Sequence, residues 1–164
     1  MIATRTKPFE ASWNGQTHRL ARIIDLYERN YRLLQRLTPE LGYPFDAAVS
    51  RAGNEPPLYL MVVKRSRYTV ELRLHYRFAG EQGDARPDMR LRVCRDAGTV
   101  EALGDPPQQC WPFVDTEVQD ASHFLFQQWR RNHFLARWLE YLVDRGHGFA
   151  LADRPREIAG QAHD

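Results

Sequence analysis

The sequence predicts an α+β fold: an antiparallel sheet of four or five strands in a meander, with N- and C-terminal helices packed on one face. Apolar residues recur at three- and four-residue spacings near both ends of the chain, which is the helical pattern. The middle of the chain instead alternates with a period of two. No helical pattern separates the predicted strands, so we expect hairpins rather than parallel crossover units.

The first helix is predicted to begin near Thr17 and to end before Pro39, because the residue before a proline is pushed out of helical geometry. Its apolar stripe consists of Leu20, Ile23, Ile24, Tyr27, Tyr31, Leu34 and Leu37. Residues 1–16 show no periodicity and are predicted to form a loose arm. A single domain is therefore expected over residues 17–149.

The predicted strands occupy the middle of the chain. A short edge strand is expected over 45–50, and the wholly apolar run 58–63 predicts a strand covered on both faces. A two-residue turn at Arg65-Ser66 would lead into the alternating strand 67–78, which directs Tyr68, Tyr76 and Phe78 toward the helices. Further strands are predicted over 89–94 and 99–103, and a short one over 110–114.

The last helix is predicted from about Asn132 to Arg145, with an earlier start near residue 121 as the alternative. Asn132 is interpreted as an N-cap or as a cap at a helix kink, and Gly146 as the C-terminal stop. Residues 150–164 are predicted to form a flexible polar tail.

Composition limits the class of protein. A chain of 164 residues fits one domain, and no apolar run approaches the length needed to cross a bilayer, so a cytoplasmic protein without a membrane partner is expected. The net charge of +2 is too small to argue for nucleic-acid binding. All cations except Lys7 and Lys64 are arginines, which fits either phosphate recognition or a GC-rich genome.

Three segments resemble the YqiB-like family of proteobacterial proteins: Leu26–Tyr31 running to Pro39, Arg67–Thr69, and Asn132–Leu142 closed by Gly146-His147. The resemblance covers roughly residues 20–148. That family is a domain of unknown function, so the resemblance implies a cytoplasmic bacterial protein but no activity, cofactor or catalytic residue. Some relatives place a cysteine where Leu142 stands here, which argues against a thiol function at that position.

The alternating strand supplies the candidate site, a cationic sheet face. If Val63 lies opposite Tyr68, the face shared by Leu58, Leu60 and Val62 also carries the cations. The predicted site residues are Arg73, His75, Arg77, Arg90 and Arg92. Such a face suits an acidic protein, a nucleic acid or a phosphorylated ligand.

Two considerations weigh against a cationic binding face. Glu71 and Glu101 would neutralise the arginines if they pair across strands, which leaves an ordinary solvated face. RNA-binding sheets usually add exposed aromatics for base stacking, whereas the aromatic residues of the alternating strand are predicted to face the core. Trp111 and Phe113 lie beside prolines and are candidate contacts for a partner.

The sequence predicts no catalytic residue, metal site or cofactor. The histidines lack ligand spacing, the two cysteines are far apart, and glycine-rich phosphate loops and serine-nucleophile motifs are missing. A non-enzymatic binding or adaptor module for an anionic partner is therefore the leading interpretation. The alternatives are a small enzyme or binding protein for a phosphorylated or nucleotide-like metabolite, and an RNA-binding protein. Oligomeric state is left open.

Overall fold

The computed structural model describes residues 8–39, 45–77, 87–104 and 120–149, and within them two helices accompany one five-stranded sheet. The elements are α1 (Pro8–Leu37), β1 (Ala47–Ser50), β2 (Leu58–Arg65), β3 (Thr69–Tyr76), β4 (Asp88–Cys94), β5 (Thr99–Leu103) and α2 (Asp120–Asp144). The strands lie in the order β1-β2-β3-β4-β5, and every neighbouring pair is antiparallel. The predicted α+β meander is confirmed.

The core lies between the two helices and one face of the sheet. Alternate strand residues supply the sheet side of this core, namely Leu58, Leu60, Val70, Leu72, Leu74, Leu91, Val93, Val100 and Ala102. The helices supply leucines 34, 37, 135, 139 and 142. Every second residue of the strands and the apolar stripe of each helix face the same space between the sheet and the helices. A two-layer fold therefore buries all these side chains together.

Helix α1 starts earlier than the sequence predicted. It begins at Pro8, a residue well suited to the first helical position because its missing N–H has no helical partner there. Side chains are described from Arg19 onward. The predicted stripe is only partly buried: Leu34 and Leu37 lie in the core, whereas Leu20 and Ile24 are about half exposed, at 47% and 50%.

The predicted register between β2 and β3 is wrong. The two-residue turn lies at Arg67-Tyr68 instead of Arg65-Ser66, so Arg65 lies opposite Val70, and Met61 lies opposite Arg73. The displaced turn by itself shifts the pairing by an even number of residues, which keeps each side chain on its predicted face. Beyond the irregularity between Val62 and Lys64 the shift becomes odd, and an odd shift moves the side chains of residues 58–62 to the other face. A bulge near Val63 interrupts the ladder.

Three side-chain placements change with the register. Leu58, Leu60 and Val62 point toward the helices instead of lying beside the cations, and β2 is covered on one face only, because Met61 and Val63 are 41% and 49% exposed. Tyr68 lies before β3 and is 51% exposed, which contradicts its predicted core position.

Tyr76, which was also predicted to face the helices, is buried as expected, at 5% exposure. Phe78 lies outside the described residues, as do the predicted strand over 110–114, the candidate contacts Trp111 and Phe113, and the tail 150–164.

Helix α2 follows the longer of the two predicted extents, so Asn132 lies in its middle and is not an N-cap. Its predicted end is confirmed. Gly146 has a φ of 84°, and the N–H groups of Gly146 and His147 donate to the carbonyls of Val143 and Leu142. This pair of bonds is a Schellman cap, in which glycine takes the left-handed conformation that side chains resist.

Candidate binding groove on the open sheet face

The open face is the side of the sheet turned away from the two helices. It carries the alternate strand residues Tyr59, Met61, Glu71, Arg73, His75, Asp88, Arg90, Arg92, Glu101 and Leu103. The structure therefore brings four of the five predicted site residues onto one surface. The fifth, Arg77, lies just beyond the end of β3 and is exposed.

The strongest ion pair on the open face joins Arg73 to Asp88. The Arg73 Nε lies 2.9 Å from Asp88 Oδ1 and 3.1 Å from Oδ2, and its Nη2 also donates to Oδ2. This hydrogen bonding lowers the pKa of the Asp88 carboxyl below its usual value and raises the pKa of Arg73. Asp88 is therefore ionised at neutral pH and already bound.

Two more carboxylates neutralise the neighbouring strand. Glu71 accepts from Arg90 at 3.2 Å and from Arg92 at 3.5 Å, and Arg92 also approaches Glu101 at 3.7 Å. Cross-strand pairing by Glu71 and Glu101 was the predicted alternative to a bare cationic patch, and it is the arrangement found. The open face is a mixed-charge surface rather than a uniformly positive one.

His75 does not add a cation to this surface. Its ring stacks on Tyr59 at 5.4 Å between centroids, and its Nδ1 is buried with no partner among the described residues. Burial is the main cause that lowers the pKa of His75 below its ordinary value of 6.5. The charge of Asp88 opposes this shift, and the charges of Arg73 and Arg77 add to it. His75 is therefore neutral near pH 7, contrary to its predicted role as a cation.

A groove of about 990 Å³ crosses the open face and reaches the edge of β5. Its lining combines charged and apolar side chains: Val63, Arg73, Pro87, Asp88, Met89, Arg90, Leu103, Gly104, Arg131 and Phe134. The volume falls at the upper end of the range typical of ligand sites. This groove joins two predicted site residues, Arg73 and Arg90, to residues of α2 that the sequence analysis missed.

Arg131 is the cation that distinguishes the groove. It extends from α2 over the end of β5, and a Cβ at residue 104 would overlap its guanidinium, so glycine there makes the approach possible. Arg131 forms no ion pair with a carboxylate in the described part of the chain. Nearby, the Arg90 Nε is buried and lacks a described hydrogen-bond partner. Both guanidinium groups retain donors for an anion.

The groove does not present an acid–base pair suited to catalysis at neutral pH. Asp88 and His75 lie opposite each other on neighbouring strands, so an acidic residue and a histidine do share the face, as the enzyme alternative requires. However, Asp88 is bound on both oxygens by Arg73, and the His75 ring is stacked on Tyr59.

A buried hydrogen-bonded chain lies elsewhere, between the sheet and the end of α2. His147 Nδ1 is 3.1 Å from Ser50 Oγ and its Nε2 is 3.2 Å from the Tyr76 hydroxyl, while the Gly148 N–H donates to Ser50 Oγ. The serine and histidine are 2% and 5% exposed. A substrate has no access to such a serine, so these residues attach the C-terminal segment to the sheet. No sequence motif signals this set of hydrogen bonds, because the residues that form it are far apart in the sequence.

A family model described as "Protein of unknown function (DUF1249)" matches residues 33–148. This match spans most of the chain and includes β1 to β5, the groove residues of α2 and His147, so the chain belongs to the DUF1249 family. Searches of curated proteins and of solved structures found no match. Among the helices described, neither is long and apolar enough to cross a membrane.

Proposed function

We propose that this protein is a non-enzymatic binding module, and that the open-face groove holds an anionic ligand. The observation that carries the proposal is Arg131, a guanidinium held over Gly104 at one wall of a large groove, without a carboxylate partner among the described residues. An arginine positioned in this way offers forked donors to a phosphate or a carboxylate.

The surrounding groove supports this assignment. Arg90 adds a second guanidinium to the groove lining, and the ion pairs of Arg73 and Arg92 hold the sheet side of the groove in one geometry. Leu103 and the half-exposed Phe134 supply apolar contact area. A ligand that combines negative charge with an apolar or aromatic part therefore fits better than a bare ion. The partly exposed stack of Tyr59 on His75 supports a nucleotide-like or RNA ligand.

Three probes separate the ligand classes: ATP, an oligouridine and a polyglutamate peptide, each titrated at low salt. We expect at least one to bind saturably, with an affinity that falls as salt is added. Arg131→Glu should weaken that binding by about tenfold or more, since it replaces a favourable charge contact with repulsion.

Two further variants sharpen the test. Arg137→Glu is the matched control, because it makes the same charge change on an exposed α2 side chain outside the groove. Gly104→Ala keeps every charge but displaces the Arg131 guanidinium, so we expect an intermediate loss of affinity. Equal effects of Arg131→Glu and Arg137→Glu, or no saturable binding of any probe, would contradict the proposal.

We also propose that the protein is one of the YqiB-like bacterial proteins and that it is cytoplasmic. The segments around Arg67 and Asn132 support membership of the YqiB-like proteins within the family, and so a bacterial origin. A cytoplasmic location is supported by the free thiol of Cys94, which suits a reducing compartment.

A further inference from the structure

A second cleft, here called the helix cleft, lies between the two helices at the end remote from His147. It has a volume of about 460 Å³ and is lined by Arg19, Arg22, Ile23, Leu125, Phe126 and Trp129. It shares no lining residue with the open-face groove. Any ligand of the helix cleft is therefore independent of the proposed function.

The helix cleft leaves apolar side chains in water. Phe126 in its wall is 53% exposed, and the neighbouring Phe124 is 58% exposed. On α1, Leu20 and Ile24 are exposed to a similar degree. A group of large apolar side chains exposed around one depression is typical of an interaction site, whereas isolated ones are ordinary surface.

The charge in the described turns around the helix cleft is mostly positive. In the bordering turns, residues 19–26 and 124–131, four arginines stand against one acid, Asp25. Arg19, Arg22 and Arg130 pair with no described carboxylate, in contrast to the arginines of β3 and β4. The Arg130 guanidinium lies 5.8 Å from the centre of the Phe126 ring, so a cation also covers an apolar wall. An acidic partner complements this rim.

The shape of the helix cleft indicates the form of that partner. The helices meet along their length through Asn30 with Asn132 and through Arg29 with Glu140, so the cleft continues the line between two parallel helices. A third helix packs naturally into such a groove, with residues at i, i+4 and i+7 entering it. We propose that the helix cleft binds an amphipathic helix of an acidic partner protein, with leucine or aromatic residues inside and carboxylates on Arg19, Arg22 and Arg130.

The test uses a synthetic, end-capped helical peptide with leucines at i, i+4 and i+7 and mostly glutamate elsewhere, followed by fluorescence anisotropy. We expect an affinity of roughly micromolar strength and a loss of binding when the same residues are scrambled, because scrambling breaks the apolar stripe. Arg19→Glu combined with Arg22→Glu should weaken binding by about tenfold or more, and Phe126→Ser should do the same.

The matched control is Arg32→Glu combined with Arg36→Glu, which makes the same charge change on exposed positions of α1 away from the cleft. It should retain most of the affinity. The proposal is overturned if the parent does not bind the peptide, if the scrambled peptide binds equally, or if both charge-reversed pairs weaken binding alike. It is also overturned if Phe126→Ser instead abolishes self-association or binding to anionic phosphatidylglycerol vesicles while leaving peptide binding intact.

Discussion

Asn132 is a buried amide in the middle of α2, and its replacement tests how the helices are attached to the sheet. Its side chain is fully buried, its Oδ1 accepts from the Ala102 N–H of β5 at 2.8 Å, and its Nδ2 donates to the Gln128 carbonyl at 2.8 Å. Asn30 also donates to Oδ1, at 3.4 Å. Asn132 thus satisfies a backbone group on the outer edge of the sheet.

The expected cost of Asn132→Ala follows from the groups left behind. The Ala102 N–H loses its acceptor in a buried place, which costs about 1–3 kcal/mol. Asn30 keeps a second acceptor, the backbone carbonyl of residue 132 at 3.3 Å, so the loss of its contact with Asn132 Oδ1 costs less free energy. We therefore expect the free energy of unfolding to fall by about 2 kcal/mol, which for a domain of this size lowers Tm by roughly 4–8 °C.

Urea and thermal unfolding followed by circular dichroism measure this change. Arg137→Ala is the control, because it removes an exposed side chain from the same helix and should alter stability by less than about 0.5 kcal/mol. A cycle with Asn30→Ala should show coupling between the two amides. If Asn132→Ala costs no more than Arg137→Ala, the reasoning about the buried edge is refuted.

Three further predictions concern stability. Burial lowers the pKa of His147 below 6.5, so the unfolded chain binds the proton more readily than the folded chain as the pH falls. Stability should therefore be full above about pH 6.5 and decrease below it. In a pH series of urea melts, His147→Phe should flatten this decrease. Leu60→Lys should unfold the protein whereas Met61→Lys should cost less than about 1 kcal/mol, and equal costs in urea melts would show that the register is wrong. Gly146→Ala, at a φ of 84°, should cost roughly 1 kcal/mol in the same assay, and an unchanged midpoint would argue against the left-handed cap.

The fold was largely predictable because its signals are local. Alternation in β3 and β4, and the stripes of both helices, each report one buried face. The pairing of β2 with β3 was not predictable in the same way. Residues 58–63 are all apolar, so they do not reveal their face, and the bulge near Val63, which no sequence pattern signals, decides it.

The candidate site was predictable only in part. Strand parity correctly placed Arg73 and Arg90 on one face, since it depends on a two-residue period alone. Two features were not predicted: the pairing of Asp88 with Arg73, and the place of Arg131 in the groove. Both depend on contacts between segments distant in the chain, and Arg131 depends in addition on a missing side chain at Gly104.

A backbone NMR map of the parent protein, recorded while the strongest-binding of ATP, oligouridine and polyglutamate is added, tests the assigned groove directly. If the ligand occupies the groove, we expect saturable chemical-shift changes that cluster at Arg90, Leu103, Gly104 and Arg131. These changes should be smaller in Arg131→Glu. Changes that cluster instead around Phe126, or that are scattered over the surface and unaffected by Arg131→Glu, would contradict the groove as the anion site.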